Sequence, residues 1–233
     1  MLSKEFLTKQ EYQLEGEHKM KTLFIENGVA YGLLEAEDRD FIDQVKKLRH
    51  DVYVACGFIE PTPTRTIEDK KDEDCYYMAA FDTELQEIIG TVRLSKPPFK
   101  VLEALKHEGI EIKCQELLDK VLSSKTLEVG ALAVRPKIKT GKSHISGGLY
   151  TLLYLFSLQN NVDYLLIDID KNVGESLKKL GWKLVQFAAE HNYMGSITVP
   201  AVIPINEQWD SVTKNNPDYA KFVQKILDQI RVH

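Results

Sequence analysis

Apolar and polar positions follow two periodicities along the chain, and each predicts a different element. Two apolar runs flank Asn27 and Gly28, a pair that favours the positive φ angles of a tight turn, so residues 21–36 are predicted to form a β-hairpin. From Asp38 apolar positions recur at spacings of four, three and four, which predicts a helix ending near Gly57. The apolar stripe of this helix consists of Phe41, Val45, Leu48 and Val52.

The next part of the chain changes character twice. Residues 59–74 contain two prolines and many charges without periodicity, which predicts a mobile loop that is either a plain connection or functional. Two apolar runs, 75–82 and 87–95, predict strands joined by a polar turn. Residues 98–123 predict one or two helices, which we interpret as an insertion. Their expected core contacts are Leu102, Leu105, Leu117, Leu118 and Val121.

A βαβ unit is predicted in the second half of the chain. Residues 126–134 form an apolar strand, 135–148 a basic loop that ends in glycines, 149–161 an apolar helix, and 162–170 another strand. A strand, a helix and a second strand in this order cross over right-handed and make the two strands parallel. A short helix and a strand, 182–187, follow.

The order of elements predicts an α/β fold with a mixed sheet. The sheet should be mostly antiparallel with one parallel pair, in a single domain covering residues 1–233. Residues 1–20 are polar and predict a loose N-terminal arm. Residues 216–231 predict a C-terminal amphipathic helix.

Composition excludes several classes of function. Hydrophobic residues make up 43% and charged residues 28%, as in ordinary globular proteins, and no apolar run approaches the roughly 20 residues of a membrane span. A net charge of -5 gives no sign of the excess positive charge that is typical of nucleic-acid-binding proteins. The N-terminus lacks the apolar core of a secretory signal, so we expect a cytoplasmic protein.

Cysteines and acidic pairs do not predict a metal site. Cys56, Cys75 and Cys114 have neither CxxC spacing nor an even number, which favours a reducing compartment over disulfides or zinc. Cys56 adjoins an apolar segment and is predicted to be buried and inert. Asp168 and Asp170 end a strand without further clustered ligands, so we favour helix capping over metal binding.

Two arginines and one glutamate lie among apolar residues. Strand alternation places Glu128 on one face with Gly130, Leu132 and Val134, and Arg93 can meet Glu128 if the two strands pair. A buried ion pair is a poor source of stability, so such a pair is either structural or part of a site. Arg49 either reaches water along its stem or points towards Glu128 or the acids of residues 59–74.

The basic loop at 135–148 is a candidate anion site. It carries Arg135, Lys137, Lys139 and Lys142. It ends in Ser146, Gly147 and Gly148 at a helix start, where exposed amides and the helix dipole favour an anion. The lysines suit a nucleotide phosphate or an acidic protein, and His144 is a weaker candidate for ligand contact. Glycines before a helix are also common without any ligand.

Several short stretches resemble a known family in their order and spacing. They are LRHDVYVACGF (48–58), the acidic loop around Asp69 and Asp72, GTVRLS (90–95) and LEVGALAV (127–134). Together they are similar to the acyl-homoserine-lactone synthases and the N-acyl amino acid synthases of the GNAT superfamily. The resemblance covers about residues 30–200 and implies a GNAT-like fold whose parallel strand pair splays to admit an acyl thioester.

The resemblance also implies roles for individual residues. Arg49, Arg93 and Glu128 match catalytic positions around the amine acceptor. The substrate-binding positions are matched by Tyr53, Phe58, Asp69 and Asp72. One departure is clear: the family's Ser-Arg pair is Gly130-Ala131 here, which argues against lactone synthesis from S-adenosylmethionine.

The implied reaction is attack of an amine on an acyl thioester, with Glu128 as the base and backbone amides near 131–134 as oxyanion donors. The donor is acyl-CoA or an acyl-carrier-protein thioester, without a metal, and the acceptor is an amino acid or similar small amine. The implied donor-binding residues are Val134, Lys142, His144, Ser146, Gly147 and Gly148. The alternative hypotheses are a non-catalytic GNAT-like module that binds an acyl carrier or CoA ligand, and transfer to a peptide amine.

Overall fold

The computed structural model of the chain describes residues 20–34, 39–67, 69, 72, 75–136 and 145–231. These residues form two compact units. Of the described residues, unit 1 takes those up to Leu94, 131–136, 145–156 and 228–231, and unit 2 takes those from 95 to 130 and from 157 to 227. The predicted N-terminal arm lies outside the described residues except for Met20, and the single domain predicted over the whole chain stays a prediction.

Unit 1 begins with a β-hairpin of the predicted kind. Its strands are β1 (Met20–Glu26), β2 (Val29–Leu34), β3 (Cys75–Asp82) and β4 (Glu87–Ser95). β1 and β2 pair antiparallel through Asn27 and Gly28, whose φ angles are 50° and 72°. β2 pairs antiparallel with β3, and β4 lies on the other side of β3. The predicted hairpin and strands are therefore confirmed.

Helix α1 (Arg39–Ala55) buries its predicted apolar stripe in the core of unit 1, with Val52 only partly buried. The helix ends where predicted, because Gly57 takes a φ of 73° that most residues avoid. The prediction that Cys56 is buried is wrong, since its side chain is exposed. The helix has already ended at Ala55, so this residue no longer belongs to the stripe.

Unit 2 carries most of the remaining elements. They are α2 (Lys100–Glu108), α3 (Gln115–Leu122), β6 (Tyr164–Asp170), α5 (Lys171–Lys179), β7 (Val185–Gln186), β8 (His191–Tyr193), β9 (Ser196–Pro204) and α6 (Gln208–Asn215). Four elements contribute residues to both units: β4, through its last residue Ser95, and β5 (Thr126–Val134), α4 (Ile145–Gln159) and α7 (Pro217–Arg231).

The predicted βαβ unit is confirmed. β5 and β6 pair in parallel from Thr126 with Tyr164 to Val129 with Ile167, and α4 connects them. Within the described residues this pairing stops at Val129 and Ile167, although β6 continues to Asp170. On its other side β6 pairs antiparallel with β9 along its whole length. The parallel pairing of the two strands thus ends at Val129, and the α/β fold with a mixed sheet is confirmed.

The structure corrects the start of α4. The helix begins at Ile145, so Ser146, Gly147 and Gly148 form its first turn instead of ending a loop. Apolar burial outweighs the low helix propensity of glycine here, since Ile145 and Leu149 are 6% and 0% exposed.

Two strand predictions also need correction. Ala131 has a φ of 52° inside β5, so the alternation expected from Glu128 to Val134 is interrupted halfway. The strand predicted at 182–187 shrinks to β7, because the amide of Lys183 donates to the side chain of Gln208 at 2.9 Å instead of to a neighbouring strand.

The predicted insertion at 98–123 consists of two helices, and all of its expected core contacts pack in one cluster of unit 2. Asp170 caps α5 as predicted and accepts hydrogen bonds from the amides of Asn172 and Val173 at 2.9 and 3.1 Å. The C-terminal amphipathic helix is confirmed as α7. Among the described residues, no helix is long and apolar enough to cross a membrane.

Candidate active site

Two arginines from different elements of unit 1 converge on one carboxylate. Arg49 of α1 donates from Nη1 to Oδ1 of Asp72 at 2.9 Å, and Arg93 of β4 donates from Nη1 to the same oxygen at 2.6 Å. The side chains of Arg49 and Arg93 are only 2% and 5% exposed. Arg49 therefore takes the second of its two predicted orientations, towards the acids of residues 59–74.

Asp69 completes the cluster. Arg93 donates from Nη2 to Oδ2 of Asp69 at 3.2 Å. The amide of Asp69 donates to Oδ2 of Asp72 at 3.2 Å, and the amide of Asp72 donates to the carbonyl oxygen of Asp69 at 2.8 Å. These bonds fold the two aspartates into a turn that faces the arginines, so the formal charges of the four side chains cancel.

Tyr77 of β3 is a member of the cluster that the sequence did not predict. Its hydroxyl accepts a hydrogen bond from Nη1 of Arg49 at 3.0 Å. Burial and the bond to Asp72 raise the pKa of Tyr77. Burial alone would raise the pKa of Asp72, but hydrogen bonds from Tyr77 and both arginines hold it below its ordinary value. Asp72 is therefore ionised at neutral pH.

The arginines are not fully satisfied by these contacts. Within the part of the chain that the structure describes, Nε of Arg49 and Nε of Arg93 are buried without a hydrogen-bond partner. A buried donor without a partner costs about 1–3 kcal/mol. A cluster optimised for stability alone would avoid this cost, and such costs are typical of functional sites.

An aromatic pair follows Arg49 at the end of α1. The rings of Tyr53 and Phe58 meet edge to face with centroids 5.8 Å apart. The amide of Phe58 donates to the carbonyl oxygen of Tyr53 at 2.9 Å and closes the chain over the helix end. The structure thus brings Arg49, Arg93, Asp69 and Asp72 together in one cluster, and it pairs Tyr53 with Phe58.

Glu128, the predicted base, lies in unit 2 and is buried. Its Oε2 accepts a hydrogen bond from the amide of Val101 at 3.2 Å. Val101 is the second residue of α2, whose N-cap residue Phe99 makes no side-chain capping bond within the described chain. Glu128 therefore caps α2 from another element. The predicted encounter of Glu128 with Arg93 stays a prediction.

The predicted donor-binding residues are only partly described. Lys142 and His144 lie outside the described residues, together with Lys137 and Lys139. Val134 is the last residue of β5 and is half-buried. In α4, Gly148 has a packing reason of its own, because a Cβ there would lie 2.3 Å from the ring of Tyr31. The missing side chain is thus explained without a phosphate.

Two more groups were not predicted from the sequence. Cys75 is half-buried beside the cluster, and burial raises the pKa of its thiol to about 11, so it is a poor nucleophile. In unit 2, His191 of β8 lies between Glu108 and Asp168, with Nδ1 2.9 Å from Glu108 and Nε2 3.0 Å from Asp168. The capping role predicted for Asp168 is wrong, because its carboxylate faces this ring.

The sequence, taken with the fold, defines the chain as an acyltransferase. The sequence profile of the N-acyl amino acid synthase FeeM family matches residues 44–203, and the chain belongs to that family. No curated protein sequence matches the chain significantly.

Solved structures agree on the fold. The acyl-homoserine-lactone synthase LasI is 18% identical, with a TM-score of 0.61 over 81% of this chain and 94% of LasI. FeeM, an N-acyl amino acid synthase from uncultured soil microbes, is 16% identical, with a TM-score of 0.58 over 83% of this chain and 97% of FeeM. BjaI, a CoA-dependent acyl-homoserine lactone synthase with SAM and isopentyl-CoA, is 15% identical, with a TM-score of 0.57 over 84% and 88%.

Proposed function

We propose that the protein transfers an acyl group from a thioester to the amine of an amino acid or similar small acceptor. The observation that carries the proposal is the position of Glu128, one residue before the point where β5 and β6 stop pairing. Where the pairing of two parallel strands ends, backbone amides and carbonyls that the pairing no longer uses can bond the amide-containing arm of an acyl thioester. Membership of the N-acyl amino acid synthase family supports the same reaction.

In the proposed reaction the amine nitrogen attacks the thioester carbonyl, the C–N bond forms and the C–S bond breaks. Glu128 accepts the proton that the amine loses, and the thiol leaves as thiolate. Backbone amides around Ala131, where the strand geometry is interrupted, are suited to stabilise the oxyanion.

Arg49 and Arg93 serve in this proposal as positioning residues. Their charges are balanced by Asp69 and Asp72, so the cluster carries no excess positive charge for an anionic substrate. Instead it holds Asp69 and Asp72 against Arg49 of α1 and Arg93 of β4, and we assign these residues, with Tyr53 and Phe58, to binding of the acceptor. An amino acid is the preferred acceptor because of the family, and Ala131 argues against SAM.

The acyl donor is proposed from the chemical group that CoA and acyl carrier protein have in common. CoA and acyl carrier protein present the same phosphopantetheine thioester, and BjaI uses CoA. We propose a phosphopantetheine thioester whose phosphate lies near Ser146 and Gly147 in the first turn of α4. Family membership favours an active enzyme over the non-catalytic alternative.

The test is a matrix of donors and acceptors. Acyl-CoA and acyl-carrier-protein thioesters of several lengths are mixed with amino acids, SAM or a short peptide, and acyl amide products are measured by mass spectrometry. Thiol reagents should be avoided, because Cys56 and Cys114 are exposed and would react. Amide formation with amino acids supports the proposal. Lactone formation from SAM, products with peptide only, or no product in any combination would each contradict it.

The role of Glu128 is tested by Glu128→Gln. Glutamine keeps an oxygen that accepts from the Val101 amide but cannot act as a base, so folding should persist while kcat falls about 100-fold or more. Glu103→Gln is the matched control, since Glu103 is exposed on α2. Full activity of Glu128→Gln would exclude the assigned base.

A further inference from the structure

The ring of His191 is held by carboxylates on both sides. Its side chain is 3% exposed, Nδ1 lies 2.9 Å from Oε2 of Glu108, and Nε2 lies 3.0 and 3.2 Å from the two oxygens of Asp168. A neutral imidazole donates from only one nitrogen, so two carboxylate partners require the doubly protonated ring. The ring thus acts as a charged link between β6 and the last residue of α2, and Tyr193 stacks on it with ring centroids 6.3 Å apart.

The opposite end of α2 carries the other charged contact. The amide of Val101 donates to Glu128 there, so the nine-residue helix is held by Glu128 at its start and by His191 at its end. A helix of this length moves as a rigid body, because its backbone hydrogen bonds are made within the helix. A shift at Glu108 therefore moves the Val101 amide relative to Glu128.

We infer that His191 is a positioning residue for acyl transfer: with Asp168 it anchors the C-terminal end of α2 at Glu108, and through the helix it holds the Val101 amide against Glu128. The inference rests on the proposed role of Glu128 as the base. A hydrogen bond from an amide fixes the direction of the carboxylate and favours its ionised form, which is the form that accepts a proton.

Apolar packing is the competing anchor for α2. Val101 and Leu105 are buried against Leu118, Leu166 and Phe187. If this packing alone sets the position of the helix, removing His191 will leave the Val101 amide where it is. Packing is not directional, whereas the two bonds of His191 fix one orientation.

The first measurement does not depend on activity. Amide hydrogen exchange at Val101 is compared in wild type, His191→Gln and the matched control His107→Gln, which changes an exposed histidine of the same helix. His191→Gln should speed exchange at Val101 about tenfold, and His107→Gln should leave it unchanged. Unchanged exchange in His191→Gln would overturn the anchoring. If that variant does not fold, Glu108→Gln weakens the same link at a more exposed position and should give the same result.

The second measurement is kinetic. His191→Gln should lower kcat about tenfold while the KM for the thioester changes less than about twofold, because only the orientation of the base is lost. Faster exchange at Val101 with an unchanged kcat would overturn the catalytic part of the inference. Absence of turnover in wild type would instead contradict the proposed function, and the exchange experiment would still test the anchoring.

Discussion

Arg49 and Asp72 are joined by a part-buried hydrogen bond of 2.9 Å although 23 positions separate them in the sequence. Because the arginine is almost fully buried, Asp72→Asn would leave a cation without its full countercharge. We expect this change to lower the free energy of unfolding by about 3–5 kcal/mol, measured by urea denaturation. Asp51→Asn is the control, since its 2.6 Å pair with Arg65 is exposed and should contribute less than about 1 kcal/mol. Equal effects would contradict the prediction.

Tyr77→Phe removes one hydroxyl from the same cluster. Arg49 loses a buried hydrogen-bond partner, so the free energy of unfolding should fall by about 1–3 kcal/mol. Tyr193→Phe, at an exposed position, should change it by less than about 0.5 kcal/mol. A neutral Tyr77→Phe would mean that the hydroxyl is dispensable for holding the ion pair.

Gly148→Ala tests the packing of α4 on the hairpin. The added methyl would meet the ring of Tyr31 at 2.3 Å, so we expect a loss of about 1–3 kcal/mol in thermal or urea unfolding. Gly174→Ala is also a helix substitution, but its methyl meets Ile169 at an ordinary 3.5 Å and should stabilise by about 0.5–1 kcal/mol. Combining Gly148→Ala with Tyr31→Leu should cost less than the sum of the single changes.

Ala131→Gly tests the strained position in β5. Alanine at a φ of 52° costs about 1–2 kcal/mol, and glycine removes this cost but adds chain entropy to the unfolded state. The net expectation is a gain of about 0.5–1 kcal/mol in the free energy of unfolding. Ala133→Gly is the control and should destabilise, because Ala133 is buried in the core of unit 1. A loss of stability in Ala131→Gly would contradict the prediction that the backbone at Ala131 is strained.

Stability should depend on pH through His191. Burial opposes the charged ring, but the hydrogen bond to Glu108 and the attraction of Asp168 raise its pKa above the ordinary value of about 6.5. A raised pKa in the folded state contributes stability that is full below about pH 6.5 and is lost as the pH rises through the folded pKa.

The free energy of unfolding of the wild type should therefore exceed that of His191→Gln by more at about pH 6 than at about pH 9, measured by urea denaturation. The groups that face the ring are Glu108 of α2, Asp168 of β6 and Tyr193 of β8. Burial raises the pKa of Asp168 by more than His191 lowers it, and this shift changes the stability in the acid range. In His107→Gln the difference from wild type should not vary with pH; an equal pH dependence in both variants would contradict the assignment.

Local signals predicted much of the fold. The Asn27-Gly28 turn and the stripe of α1 could be recognised because turn geometry and helix periodicity depend on neighbouring residues alone. The start of α4 could not, because glycine disfavours helix locally and the reason for Gly148 is the ring of Tyr31, which lies more than a hundred positions earlier. Tertiary packing decided that boundary.

The candidate site divides in the same way. Arg49 and Arg93 were found because charges among apolar residues stand out in a sequence, whereas Asp69 and Asp72 were identified through the family resemblance. Tyr77 did not stand out, since a tyrosine in an apolar strand is ordinary until its hydroxyl is seen against Asp72. His191 lies between Glu108 and Asp168 in the structure. Asp168 and His191 follow Glu108 by 60 and 83 positions in the sequence, and no local pattern connects the three residues.

The three cysteines have a practical consequence. Cys56 in unit 1 and Cys114 in unit 2 are exposed, whereas Cys75 is half-buried with a raised pKa. The unaltered protein therefore carries two ready attachment points for fluorescent dyes, one on each unit. Energy transfer between a donor and an acceptor dye at these thiols would report the distance between the dyes. The distance could be followed during turnover without any engineered residue.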